Sequence, residues 1–585
     1  MRTFFKFFFA SLAASVLLLV ILLALGVKLV SAVAEPELPE LKSNAVLRID
    51  LSAPILEQGM ESGLDFPEGK TPQVNGLFDM VRAIKQAATD DGIKALYLYC
   101  NGDGAGYASN AELREALVYF KTKKKTIYAF AENLTQRGYE LANVAEKIYV
   151  MPMGKMDWLG YGLDLTFFKG TLDKLEVEPQ IIYAGKFKSF TEPFRLQSMS
   201  SENRLQLTQF VEAVYGSLLN NTATARGLDS STLRRLANTW GIKSVEDAVS
   251  NGLITAARYD DEVKSDIKSQ LGLKPGDKIN FISVTDYIKL GTWNSNTSAN
   301  KIALIYAEGD IVDGKTDGGQ VGGETYSLLL RKARFDSSIK AVVLRVNSPG
   351  GSAVASEAIW REVGLCRKVK PVVVSMGDYA ASGGYYISCA ADSIFAQPST
   401  LTGSIGVFIM YFNAQKMFNN KLGVSFDGVK TGPYADFGSI SRPMTEAEKS
   451  HAQVEVDAIY ANFLQRVADG RKLRVSAVDS ISQGRVWSGK AALAIGLVDK
   501  MGGLQDAIDC AARMAKVSDY ELREWPFVKS FWEKLSSETD ASPTIGGYAL
   551  QQQIGKQNFA LLQQMKAFQA MAGVPQMRLP FALKP

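Results

Sequence analysis

Residues 7–27 carry no charged side chain over 21 positions, a run long enough at about 1.5 Å per residue to cross a hydrocarbon layer of about 30 Å. Beyond it the apolar positions change character. Short β-rich runs at 302–307, 341–346 and 371–376 are separated by 3.6-period patterns such as 355–368, and the polar stretch at 445–454 opens another long helical pattern. Strands alternating with helices predict an α/β fold. The stretch 294–300, Asn-Ser-Asn-Thr-Ser-Ala-Asn, is polar but for Ala299 and reads as a junction.

The pattern is also duplicated. Ile339-Lys-Ala-Val-Val-Leu-Arg-Val-Asn-Ser-Pro-Gly-Gly351 aligns without gaps on Ile93-Lys-Ala-Leu-Tyr-Leu-Tyr-Cys-Asn-Gly-Asp-Gly-Ala105, a constant shift of 246 positions. The same shift carries Ala390-Ala-Asp-Ser-Ile-Phe-Ala396 onto Val144-Ala-Glu-Lys-Ile-Tyr-Val150. Such self-similarity implies two homologous domains, and a chain of 585 residues exceeds what one core usually holds. The expected organisation is a cytoplasmic stub and transmembrane anchor at 1–34, a first repeat at 43–293, the junction at 294–300, a second repeat at 301–525 and a carboxyl-terminal extension at 526–585.

Arg2 and Lys6 precede the apolar run and Glu35, Glu37 and Glu40 follow it, so the positive-inside tendency predicts Met1 in the cytoplasm and the body outside. A cleaved signal peptide ending at Ala32-Val33-Ala34 is disfavoured because the run exceeds a signal h-region of roughly 7 to 15 residues. The lipid bilayer is thus an expected partner through residues 7–27. A formal charge of +4 is too small for this length to indicate a nucleic-acid partner. The cysteines, Cys100, Cys366, Cys389 and Cys510, lie in apolar segments without paired short spacings, which argues against a zinc motif or disulfide framework; no metal or cofactor is expected.

Composition narrows the chemistry further. The single histidine, His451, sits in the polar start of a helical pattern, a solvated position, so histidine-based catalysis is disfavoured. Two glycine-rich turns follow successive apolar strands: Asn347-Ser-Pro-Gly-Gly351 and Gly377-Asp-Tyr-Ala-Ala-Ser-Gly-Gly-Tyr-Tyr386. Ser382 would stand at a helix start, where unpaired N–H groups and the helix dipole stabilise negative charge, with Gly383 completing an oxyanion hole. In isolation Ser-Gly-Gly would suit a simple helix cap; two such turns favour a nucleophile. Without histidine, its base would be a lysine of lowered pKa. Lys186 and Lys188 lie two apart, on one face if the segment is extended, and spacing leaves both open.

Asn347-Ser-Pro-Gly-Gly351, Met376-Gly-Asp-Tyr-Ala-Ala-Ser-Gly-Gly-Tyr-Tyr386, Pro398-Ser-Thr-Leu-Thr-Gly-Ser-Ile-Gly406 and Gly484-Arg-Val-Trp-Ser-Gly489 together resemble the long, tandem-domain form of the signal peptide peptidase A (protease IV) family. The resemblance implies two tandem spiral α/β domains of the Clp protease and crotonase type and a serine-lysine dyad. It assigns the nucleophile to Ser382, the lysine-supporting hydroxyl to Ser404, and the base to Lys188 through Lys188-Ser-Phe-Thr-Glu-Pro-Phe194. It implies oxyanion contacts from Gly350, Gly351 and Gly383, peptide substrates such as remnant signal peptides, a homotetramer, and a catalytic body on the outer side of a bacterial cytoplasmic membrane.

The repeat alignment complements this assignment. Gln136 stands where the second half has Ser382, and Ala435 where the first half has Lys188, so each half supplies what the other lacks. The same turns would also suit an acyl-CoA enzyme, where they would hold a thioester oxyanion, or a membrane-tethered peptide-binding scaffold without activity.

Overall fold

A computed structural model describes residues 41–61, 73–292, 297–316, 318–527 and 573–579, with seven single positions between 8 and 21. Two thirds of the membrane span expected over 7–27 falls outside the described residues, and among those described no helix is long and apolar enough to cross a membrane. Part of the expected junction, 294–296, and most of the extension at 526–585 also lie outside them.

Two sheets, the first parallel and the second parallel except for its edge pair Leu401–Gly403 with Val486–Ser488, repeat one plan. In the first, the order is Ala256–Ala257, Lys147–Met156, Thr126–Leu134, Ile93–Tyr99, Ala45–Asp50, Phe281–Ser283, parallel throughout. In the second, Val372–Ala381, Ile339–Ser348, Lys301–Glu308 and Glu521–Trp525 follow the same succession, and Ser393–Ala396 again pairs beside the strand that corresponds to Thr126–Leu134. The three strands expected at 302–307, 341–346 and 371–376 are thus present and somewhat longer. Ile302 to Ala307 are buried on both faces, which is why this stretch reads as a continuous apolar run rather than an alternation. The helix expected at 355–368 is Ala353–Arg367, started by Ser352, whose side chain accepts from the Ala355 N–H. The long helix Glu446–Arg471 starts in a capping box between Thr445 and Glu448.

The halves interlock through a third sheet. Strand Glu178–Ala184 of the first half pairs antiparallel with Val407–Asn413 of the second, from Val407↔Ala184 to Asn413↔Glu178. It delivers the chain directly to Gly185 and the segment carrying Lys188. A buried ion triad ties the halves again: Arg345 of the second half meets Glu57 at 2.8 Å and Glu112 at 2.7 Å, both from the first. Removing one member would leave an uncompensated charge in the interior, which makes this triad a strict fit between the halves.

Candidate active site

Strand Val372–Ala381 ends at Ser382, and helix Gly383–Ser388 begins immediately after it. Ser382 adopts φ 57° and ψ −114°, a region that costs a non-glycine residue about 1–3 kcal/mol. Its N–H donates to the Gly403 carbonyl at 2.7 Å and its carbonyl accepts from Tyr386 N–H at 2.8 Å, so the backbone is held on both sides of the strained residue. The side chain makes no cap to its own helix and is free to point elsewhere.

It points at Lys188. The Nζ lies 2.7 Å from Ser382 Oγ and 3.1 Å from both the hydroxyl and the carbonyl oxygen of Ser404. All three residues are 0% exposed. Burial alone pushes the Lys188 amine well below its ordinary value of 10.5, because the charged form loses its hydration and gains no carboxylate in return. A neutral amine beside a serine hydroxyl is an acceptor for that hydroxyl's proton.

The segment is not extended at this point. Gly185, at φ 104°, turns the chain, so Lys186 is exposed while Lys188 is buried. The other basic candidates lie elsewhere: Lys430 is exposed and paired with Asp436 at 2.6 Å, and His451 is exposed on helix Glu446–Arg471. Gly484 completes the fit. A Cβ there would stand 2.6 Å from the Lys188 nitrogen and 2.8 Å from its Cα, so only glycine lets the second half approach the lysine this closely.

The glycines expected around the oxyanion converge. A Cβ on Gly383 would lie 3.1 Å from Gly351 N and 3.2 Å from Gly350 Cα. Gly350 occupies φ 99°, and its N–H is turned to Ser348 Oγ at 3.2 Å. Gly383 heads the helix, where the first N–H groups have no acceptor within the helix.

In the first half the equivalent turn is relaxed. Helix Gln136–Ala142 is capped by Thr135 at φ −71°, whose hydroxyl accepts from Gly138 N–H. The Gln136 amide is consumed locally: its Oε1 accepts from Leu159 N–H and Gly160 N–H, and its Nε2 donates to Gly160 O at 3.1 Å. Position 136 itself has neither a positive φ nor a hydroxyl, and Ala435 is exposed.

A search against protein families matches Peptidase family S49 twice, at residues 119–274 and 365–518. The chain belongs to peptidase family S49. It is accordingly a serine protease, which sets aside the acyl-CoA enzyme and the inactive scaffold. Three proteases resemble it over most of their length. Protease 4 of Haemophilus influenzae is 36% identical over 474 residues, covering 78% of this chain and 76% of its own. Protease 4 of Salmonella typhi is 38% identical over 461 residues, 77% and 74% of the two chains. The chloroplastic serine protease SPPA of Arabidopsis thaliana is 30% identical over 486 residues, 81% and 70%. These relatives bear out the resemblance to signal peptide peptidase A.

Three features of this S49 chain escaped sequence reasoning. Asn203 and Gln206 are buried polar residues beside the lysine segment, legible only as polar positions at i, i+3 spacing on an otherwise apolar helix face. Glu57 and Glu112 converge on Arg345 from positions far apart in the chain. Residues 576–578 of the extension form a strand pairing antiparallel with Gly350–Ser352, Gly351 opposite Met577. Beyond that strand, Leu579 is buried in an apolar pocket that includes Leu207, Phe210, Ala381 and Leu401.

Proposed function

We propose that the chain is a membrane-anchored endopeptidase in which Ser382 is the nucleophile, Lys188 the general base and Ser404 the hydroxyl that orients the lysine. The observation that carries this reading is the 2.7 Å approach of Lys188 Nζ to Ser382 Oγ in a buried setting that favours the neutral amine. Ser382 Oγ attacks the scissile carbonyl as its proton passes to Lys188. The oxyanion meets the Gly383 amide across from the Gly350-Gly351 turn, in which the Gly350 N–H is already engaged by Ser348 Oγ, so that Gly350 contributes shape rather than a hydrogen bond. Collapse breaks the C–N bond, Lys188 returns the proton to the departing amine, and water then hydrolyses the acyl-enzyme by the same route. The experiment is digestion of an apolar signal-peptide substrate by the full chain and by Ser382→Ala: cleavage is lost in the variant, and retained cleavage would sink the assignment.

Peptide substrates agree with the strand at Gln576–Arg578, which is itself an extended peptide laid along the glycine turn with a leucine in the adjoining pocket. Substrate adding as a strand to Gly350–Ser352 would compete with it. A chain ending at residue 572 is therefore expected to cleave short peptides with a several-fold lower KM and a similar kcat. A truncated protein that stays folded and loses activity would show that this strand belongs to the working site.

The span at 7–27 supports anchoring in a bacterial cytoplasmic membrane with the body outside, and cleaved signal peptides as substrates fit that location. The two repeats at 43–293 and 301–525 form one composite centre. Leu422, Val424, Phe426 and Val429 are exposed in the second half, apolar surface of the kind that subunit contacts cover, which favours self-association; the number four rests on the family resemblance alone.

A further inference from the structure

The lysine-bearing turn is flanked by a fully enclosed set of polar side chains that the chemistry above does not use. Ser189, Glu192, Asn203 and Gln206 are each at most 1% exposed. Burial of such groups is unfavourable unless each finds partners, and here they do. Glu192 accepts from Ser200 N–H at 3.2 Å, Ser200 Oγ–H at 2.5 Å and Asn203 Nδ2 at 2.9 Å. Asn203 Oδ1 accepts from Ser189 Oγ–H at 2.9 Å.

Gln206 stands at the centre of this network. Its Nε2 donates among the Phe187 carbonyl at 3.2 Å, Ser189 Oγ at 2.8 Å and Asn203 Oδ1 at 3.1 Å. Its Oε1 accepts from Val486 N–H at 3.1 Å. One amide thus grips the residues immediately before and after Lys188 and, at its other end, a strand of the second half. Val486 pairs with Gly403, the neighbour of Ser404, which is the other partner of the lysine amine. Leu207 and Phe210 on the same helix face pack in an apolar cluster, so an amide at 206 is not what packing alone would select.

We propose that Gln206 is a positioning residue that sets Lys188 against Ser382 by clamping the lysine turn of the first half to strand Val486–Ser488 of the second. This rests on Lys188 being the base. The clamp works through geometry: releasing it lets the amine drift from the hydroxyl, and misplacement of a reacting group by about 1 Å can cost about 100-fold in rate.

The test uses the full chain, a peptide substrate, and an activated nitrophenyl ester whose good leaving group keeps residual rates measurable. Gln206→Met keeps the volume and removes all four hydrogen bonds. It is expected to lower kcat about 10- to 100-fold with KM within about twofold, in a protein that melts cooperatively above the assay temperature. In the Lys188→Ala background the same change is expected to cost nothing further, because there is no amine left to position. Ser189→Ala, a smaller change, is expected to lower kcat several-fold and serves if Gln206→Met does not fold. An unchanged kcat in a folded Gln206→Met protein, or in Ser189→Ala when that variant stands in for it, overturns the clamp. So does a parallel loss of kcat and KM, or an equal loss in the Lys188→Ala background. Retained peptide cleavage by Lys188→Ala itself would instead remove the underlying base assignment, a separately readable result.

Discussion

Lys188→Met is expected to abolish peptide cleavage, lowering kcat about 1,000-fold or more, while making the protein harder to unfold at neutral pH. The loss of rate follows from removing the acceptor 2.7 Å from Ser382 Oγ; a positioned base contributes about 100- to 10,000-fold. The gain in stability follows from linkage. Burial holds the folded-state pKa of Lys188 well below 10.5. Between that lowered value and 10.5 the unfolded chain binds a proton that the native chain does not, so the wild type becomes more stable as pH rises through the window. Methionine has no proton to shed, so its advantage is greatest on the acid side and shrinks toward pH 10. Thermal melts of both proteins across that range, beside a cleavage assay, check both halves. A folded Lys188→Met protein that still cuts peptides, or a stability difference that grows with pH, would contradict the reading. Alanine at Lys186, Lys430 or His451, all exposed, is expected to change kcat less than about twofold.

Gly484→Ala is expected to cost about 100-fold in kcat, an effect out of proportion to one methyl group. The residue occupies φ 77°, and its new Cβ would overlap the Lys188 backbone nitrogen, Cα and Cβ at 2.6–2.8 Å. None of these is the tip of a flexible side chain, so the lysine turn and the Gly484 turn must separate. Gly484 N–H also donates to the Ile405 carbonyl at 2.7 Å, so the shift spreads to the Ser404 segment. Part of the cost appears as stability, since a left-handed alanine is itself unfavourable by about 1 kcal/mol. Steady-state kinetics with a melting curve separates the two; wild-type kcat in Gly484→Ala would mean that the seam is looser than drawn.

The fold class and the duplication were legible because parallel strands buried on both faces leave continuous apolar runs, and two copies of the run 93–105 survive in recognisable form. Ser382 was legible through its setting between an apolar strand and a glycine-rich helix start. Lys188 was not legible from its own neighbourhood. Gly185 bends the chain so that two lysines two residues apart face opposite environments, a difference created by packing against Gly484 and Ser404, which lie more than 200 positions away. Gln206 and Asn203 were hidden for a related reason: polar residues on a helix read as solvated until the helix is seen to bury them. The strand at Gln576–Arg578 carries little β signal and is specified by the sheet edge it meets.

Under the proposed Ser382 and Lys188 assignment, the seam between Gly484 and Lys188 also sets the order in which the parts of the centre are made during synthesis. A growing chain that has reached residue 381 holds the proposed base and not the proposed nucleophile. One that has reached Ser404 holds both without the turn that seats the lysine. Competence arrives only after residues 484–486 have emerged and docked against a first half made about 300 residues earlier. On that assignment the centre stays incomplete until more than four-fifths of the 585 residues have been made.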